Sequence, residues 1–322
     1  MRNFKKIIWI VVFCCLVVLA NFILNFALVP YSYTRVKIHN ANINQYDDVI
    51  VGSSHGLSAI DPEVIERING RKAINLCLGG EYMMDAYHLV KEACKNGMPK
   101  RVIYELDPGY WCSAMHEDME YSRIFNEMPF SMNKVEYFFA KMMRADFRTG
   151  IFQWYQYRKH YKAIPAIVNE KLSDDYKNYG VDYFKSDGQF IKDNGFIYIN
   201  TIENSNKSKD NLILWNEDEL NKEVDKYFKK LVKYCKKNDI ELVVVTTPVP
   251  DETLEEYPDE FAKANEFFTN YMEEQGVKYL NFNYMDVEGL DTGLNAFSDY
   301  EGHMFGETAQ VFTRILYEYL DE

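Results

Sequence analysis

The sequence predicts an α/β chain: a three-layer α/β/α domain with a mostly parallel five-stranded sheet, plus an N-terminal transmembrane helix and a mainly helical insertion. Three observations predict it. Short apolar runs alternate with helical spacings, as in a parallel sheet covered on both faces. Residues 7–29 carry no charge. The alternation is lost between Tyr110 and about Asn216, so a separate unit interrupts the domain there.

The N-terminus decides location. Met1 to Lys6 is basic, and the 23 residues from Ile7 to Val29 are interrupted in polarity only by Asn21 and Asn25. As a helix, that length spans a hydrocarbon core of roughly 30 Å. The apolar stretch is too long for a cleaved signal peptide and has no small-x-small exit. Arg2, Lys5 and Lys6 stay on the cytoplasmic side, so the chain is expected in the cell membrane as a single-pass protein with its C-terminal domain extracytoplasmic. The expected organisation is an anchor over 1–30, a polar stalk over 31–45 and a domain over 46–322 with 110–216 inserted.

The elements of the domain follow in order. Asp47-Asp48-Val49-Ile50-Val51 reads as a buried strand that stops at Gly52-Ser53-Ser54. Asp61-Pro62-Glu63 starts a helix, with proline in its first turn. Arg71 to Leu78 is a second strand ending in Gly79-Gly80, and Tyr82 to Lys95 has helical spacing up to Asn96-Gly97. Arg101 to Leu106 is the third strand, Ile240 to Thr247 the fourth and Val277 to Phe282 the fifth, and Glu307 to Leu320 closes the chain as a helix. The insertion is aromatic and helical over Asn133 to Ile167, then polar through Ser205-Asn206-Lys207-Ser208. It is expected over the C-terminal strand ends. Its Trp111, Phe138, Phe139, Trp154, Tyr155, Tyr157 and Tyr161 either form its own core or bind sugar rings or a membrane partner.

Charge and cysteines exclude several classes. The three cations of residues 1–30 leave residues 31–322 with 33 basic and 49 acidic side chains, a net charge of −16. Such a domain is expected to bind no nucleic acid, and its total charge speaks against adhesion to an anionic membrane surface. Cys14 and Cys15 lie in the membrane segment, and Cys77, Cys94, Cys112 and Cys235 have no paired spacing, so no zinc site or disulfide framework is indicated. Neither a metal nor a cofactor is expected.

The candidate chemistry sits at the two ends of the domain. A serine at the C-terminal end of a parallel strand lies where open α/β sheets place their ligands. Ser54 is the candidate nucleophile, because it is one residue further into the turn and its own N–H can face a developing oxyanion. A hydroxyl needs a base to take its proton, and His303, just before the last helix, is the candidate. Asp299 or Glu301 is the carboxylate that would orient the imidazole, Asp299 being preferred and Glu301 the alternative. Gly79 and Gly80, after the second strand, offer a backbone N–H as an oxyanion donor. Asn75 is grouped with them at the oxyanion and substrate site, with an amide expected to tie down loops. His55 is read as structural, pointing away from Ser54.

The order of Gly52-x-Ser54 after strand one, Gly79 or Gly80 after strand two and an Asp/His pair before the last helix resembles the SGNH/GDSL hydrolase superfamily. The resemblance covers most of residues 46–322 outside the insertion. It implies that Ser54 is the nucleophile, that Gly79 or Gly80 is the second-block glycine and that His303 is the general base. Two departures stand out. Where the family has Gly-x-Asn-Asp after strand three, this chain has Glu105-Leu106-Asp107-Pro108-Gly109. Position 300, three before His303, is Tyr rather than Asp. With the N-terminal anchor, the Gly-Ser-Ser start resembles a branch that includes the teichoic acid D-alanine transfer protein and exopolysaccharide O-acetylation proteins. That branch implies a membrane-bound O-acyltransferase as partner and a cell-envelope polymer or acyl ester as substrate. Two functions follow as expectations: a serine acyltransferase or esterase working through acyl-Ser54, or a non-catalytic binding or scaffolding ectodomain on the same fold.

Overall fold

A computed structural model of the chain describes residues 2–80, 82–112, 120–202, 207–209 and 212–321. Ser205 and Asn206, expected in a polar loop, lie outside the described residues. The described residues form seven strands: β1 (Asp48–Val51), β2 (Ala73–Asn75), β3 (Arg101–Glu105), β4 (Gln189–Ile191), β5 (Ile197–Ile199), β6 (Glu241–Thr246) and β7 (Lys278–Asn281). Five form one sheet in the order β2-β1-β3-β6-β7, every neighbouring pair parallel. The α/β class and the five-strand parallel sheet are therefore as the sequence predicts.

Side-chain alternation divides the strands between two cores, because successive residues of a strand point to opposite faces. Val49, Val51, Ile74, Val102, Tyr104 and Val244 enter one core with the helices Met83–Ala93, Lys222–Lys237 and Pro258–Gln275. Ile50, Ala73, Ile103, Val243 and Val245 enter the other, against the closing helix Gly306–Asp321. β1 and β3 are adjacent, but the chain leaves β1 for β2 on one side before returning to β3 on the other. That reversal opens a crevice beyond their C-terminal ends.

Local signals act as read. Asp61 accepts the Glu63 N–H (3.1 Å), Pro62 takes the first helical turn, and Gly70 ends the helix Pro62–Asn69 in the left-handed region at φ 69°. The second strand is shorter than predicted. Ladder pairing covers only Ala73–Asn75, although Leu76 N–H still reaches Ile50 O and Leu78 N–H reaches Gly52 O. The outer edge of β2 is covered: Asn75 N–H donates to Asn194 O in the turn of the β4–β5 hairpin. A covered edge cannot pair with another chain.

Two features stand out within the expected organisation. Within the expected polar stalk of residues 31–45, Tyr33–Ile43 is a helix whose Val36, Ile38 and Ala41 are buried. The expected insertion divides between the crevice and the outer helices. Among its described residues Tyr110 and Leu212–Trp215 line the crevice, while its helices Glu120–Glu127 and Met132–Tyr137 pack on Tyr33–Ile43 and Met83–Ala93. A buried pair holds that contact: Lys141 Nζ bridges to Asp85, which also accepts the Tyr137 hydroxyl (2.6 Å).

The N-terminal helix runs Arg2–Leu28, and its segment Phe4–Leu28 is long and apolar enough to cross a membrane. The Asp85 pair generates a stability prediction. Lys141→Ala leaves a buried carboxylate without its cation and should cost about 3–5 kcal/mol. A lower urea midpoint for the detergent-solubilised protein checks it, and an unchanged midpoint contradicts it.

Candidate active site

The serine turn is built by β1 running into the short helix Ser54–Ala59. Ser53 is its N-cap, with Oγ accepting the His55 N–H (3.2 Å). Ser54 is therefore the first helical residue, where N–H groups have no intrahelical partner. Gly52 is required by contact: a Cβ there would lie 2.5 Å from Glu105 O. Its φ of 150° adds strain for any side chain.

His303 reaches this turn from the loop before the closing helix. Its Nε2 lies 2.7 Å from Ser54 Oγ, and its Nδ1 lies 2.7 Å from Asp299 Oδ2. The other carboxylate oxygen of Asp299 accepts the N–H groups of Glu301 (3.1 Å), Gly302 (3.1 Å) and His303 (3.2 Å). Asp299 thus holds the ring and folds its own loop around it. An isolated Phe297–Met304 bridge closes the base of that loop. Glu301 comes no nearer than 4.0 Å to Nδ1. Of the two carboxylates weighed from the sequence, Asp299 makes the hydrogen bond.

The charges follow from burial and pairing. Burial pulls the His303 pKa down, but the Asp299 hydrogen bond and the charges of Asp299, Glu301 and Asp107 outweigh it and raise the pKa above its ordinary 6.5. Burial disfavours the Asp299 anion, yet His303 holds its carboxyl down at about 2. Once the ring is neutral, Nδ1 keeps its proton toward Asp299, and Nε2 can accept one from Ser54. Asp299, Glu301 and His303 present ligand atoms within 4.8 Å of one another. Both ring nitrogens are already engaged by Ser54 and Asp299, so the trio is organised around the serine rather than around an ion.

The remaining predicted residues separate. Gly79 and Gly80 form the turn after β2, beside the serine turn through the Leu78 N–H to Gly52 O bond. A Cβ on Gly79 would meet nothing within 4 Å, so its backbone faces open space. Neither glycine lines the crevice, which opens on the β3 and β6 side of Ser54. Asn75 ties down a loop, as its amide is expected to, and is a correction only to its grouping with the oxyanion site. Its Nδ2 donates to Gly56 O (2.8 Å) and Ile60 O (2.9 Å), and its Oδ1 accepts the Cys77 N–H (3.0 Å). Both amide hydrogens are spent on the loop, leaving none for a substrate oxygen.

His55 is a second correction, because it does not point away. Its ring lies edge-on to that of His303, centroids 4.8 Å apart, and its Nδ1 is 3.4 Å from Asp107 Oδ2. Burial, then repulsion from His303, lowers its pKa to about 3, so it is neutral.

Sequence reasoning passed over Glu105 and Asp107. Glu105 occupies the place where the resembled family's third block would begin, and it braces the serine turn from beneath. Its Oε2 accepts both the N–H (2.7 Å) and the Oγ–H (2.8 Å) of Ser53. Burial, with Asp107 nearby, raises its pKa to about 7. Asp107 accepts the Gly109 N–H (2.9 Å), and burial raises it to about 6. The missed signal was two acids closing an apolar strand, where charged residues are almost never buried without a partner.

The crevice encloses about 650 Å³, counting the part open to solvent. Leu106, Ile213, Trp215 and Phe261 give it an apolar wall, while Thr246, Thr247 and Asn283 line its other side. An apolar cleft with a few converging polar groups is the usual form of a small-ligand site.

No family model and no curated protein matches the chain. Among solved structures it is similar to a presumed acylhydrolase from Bacteroides fragilis, with TM-score 0.41 and 12% identity over 90% of this chain and 98% of that one. It is also similar to a GDSL-like lipase from Bacteroides thetaiotaomicron (TM-score 0.40, 11% identity, 90% and 97% covered). A third is a presumed platelet activating factor from Streptococcus pneumonia (TM-score 0.39, 10% identity, 95% and 98% covered).

The buried bonds beneath the serine turn are testable. Glu105→Ala leaves the Ser53 N–H and Oγ without their acceptor and should cost about 1–3 kcal/mol. The expected readout is a lower urea midpoint, with Glu105→Gln milder because its amide oxygen still accepts.

Proposed function

We propose that this chain is a membrane-anchored extracytoplasmic serine acyltransferase or esterase acting on acyl groups of cell-envelope polymers. The observation that carries the reading is the continuous chain Ser54 Oγ–His303 Nε2 and His303 Nδ1–Asp299, at 2.7 Å in both links. His303 takes the Ser54 proton as Oγ attacks an ester carbonyl. The tetrahedral oxyanion meets the Ser54 N–H and a backbone N–H of the Gly79–Gly80 turn. Collapse breaks the bond to the leaving alcohol, which receives the proton from His303, and leaves acyl-Ser54. His303 then deprotonates an incoming hydroxyl, whose oxygen takes the acyl group, and Ser54 recovers its proton.

An incoming polymer hydroxyl makes the reaction a transfer, and water makes it a hydrolysis. The N-terminal helix is the membrane anchor in this reading, with Lys5 and Lys6 inside. A membrane-bound O-acyltransferase is the partner that would supply the acyl group.

The first test is covalent labelling by a fluorophosphonate. Wild-type protein should be labelled and Ser54→Ala should not; an unlabelled, folded wild type would favour the non-catalytic ectodomain instead. The second separates the two carboxylates by pH. A raised His303 pKa keeps the base protonated to higher pH, so kcat/KM should rise with pH through a value above 6.5. Glu301→Gln removes one raising charge and should move that limb to lower pH with its plateau nearly intact. Asp299→Asn should lower the plateau itself, by about 10⁴-fold where the wrong tautomer results.

A further inference from the structure

The helical half of the insertion turns away from the crevice, toward the outer end of the N-terminal helix. Asn21 and Asn25, the two polar interruptions of the apolar run, both meet it. Asn21 Nδ2 donates to Ile151 O (3.4 Å), and the Trp154 N–H donates to Asn25 Oδ1 (2.9 Å). Lys171 Nζ donates to the Asn25 carbonyl (2.8 Å). Leu24, Leu28 and Val29 pack with Trp154, Tyr157 and Ile164 around these bonds.

Helix geometry sets the depth of this grip. At 1.5 Å per residue, Asn21 lies about 10 Å below Leu28. Counted from Ile7, just beyond Lys6, about 20 residues cross a 30 Å hydrocarbon core and reach Phe26. The insertion therefore holds the helix where hydrocarbon gives way to headgroups.

Its outer surface suits that level. Phe139, Met143, Phe147 and Ile151 are 66%, 51%, 49% and 52% exposed. Gly150 packs on Phe125 and Phe138, where a Cβ would lie 3.0 and 3.3 Å from their rings, so the helix Phe147–Ile151 sits close against the segment that carries Phe139. Arg148 and Arg158 lie 4.6 and 3.9 Å from the Tyr155 ring centroid. Asp146 pairs with Arg148 at 2.7 Å, and Arg158, Lys159 and Lys162 follow with no acid between 147 and 169, in a domain of net charge −16. Exposed apolar side chains bordered by three cations beyond the Asp146–Arg148 pair match a bilayer interface bearing anionic lipid.

We infer that this surface lies on the bilayer itself, its apolar side chains at the acyl–headgroup boundary and Arg158, Lys159 and Lys162 among anionic phospholipid headgroups. The inference rests on the reading of the N-terminal helix as a membrane anchor. One helix leaves a domain free to swing. A second contact beside it fixes the direction in which the Ser54 crevice faces the membrane.

The test uses the full chain reconstituted in vesicles of phosphatidylcholine and phosphatidylglycerol brominated on their acyl chains. In a Trp9→Phe background, Phe147→Trp should add emission that is blue-shifted and quenched by bromine. Tyr284→Trp, at the far edge of the sheet, should add unquenched emission. Exchanging Arg158, Lys159 and Lys162 for Gln, or omitting phosphatidylglycerol, should reduce the quenching at position 147. Unquenched, red emission from Phe147→Trp overturns the inference, and it is also what a surface made for a partner protein would give in protein-free vesicles. Wild-type Trp9 separates the failures. If Trp9 is quenched while Phe147→Trp is not, the anchor stands and the interfacial contact falls; if Trp9 is not quenched, the anchor reading falls and takes the contact with it.

Discussion

The hydrogen bond from Ser54 Oγ to His303 Nε2 joins positions 249 residues apart, and much of the architecture is arranged to make it. On one side, β1 must end at a glycine because Glu105 O comes too close for a Cβ. On the other, Asp299 must gather three N–H groups so that the loop presents the ring at the right height. The closing helix, packed into the second core, carries that loop back over the β1 end. A serine hydroxyl and an imidazole are weak partners in water. Their alignment here comes from the rigidity of the elements behind them.

Beneath the turn the chain uses an acid where the resembled family uses a Gly-x-Asn-Asp block. Glu105 accepts two bonds from Ser53, so the residue before Ser54 cannot rotate freely. Asp107 and His55 form a second carboxylate–imidazole contact against the first, ring against ring with His303. A neutral His55 packs there without adding a second positive charge beside His303. The site is therefore dense in ionisable groups whose charges are separated by burial rather than by distance.

Much of the fold was legible because its signals are local. Val49-Ile50-Val51 and Leu242 to Val245 are β-branched or apolar runs too short for helices, and Asp61-Pro62 is a helix start whatever follows it. Strand two read too long because Arg71 to Leu78 is extended throughout, while ladder pairing is a property of the neighbour. The stalk read as polar because Tyr33–Ile43 buries a narrow apolar stripe of Val36, Ile38 and Ala41, which composition averages away. The insertion's destination was invisible for the same reason: aromatic residues announce burial but not against what.

Ser54 and His303 were visible as candidates because strand ends and the loop before a last helix are where α/β domains place side chains for use. Sequence alone determined the residue types, the strand order of the chain, the long apolar N-terminal segment and the acidic balance of the rest. Tertiary structure decided which carboxylate reaches His303, because a loop's curvature and not its spacing sets which side chain meets the ring. It also placed His55 inward, spent the Asn75 amide on two carbonyls and set Glu105 under the serine turn. Each of those outcomes depends on distances across the sheet, and such distances exist only once the strands have paired.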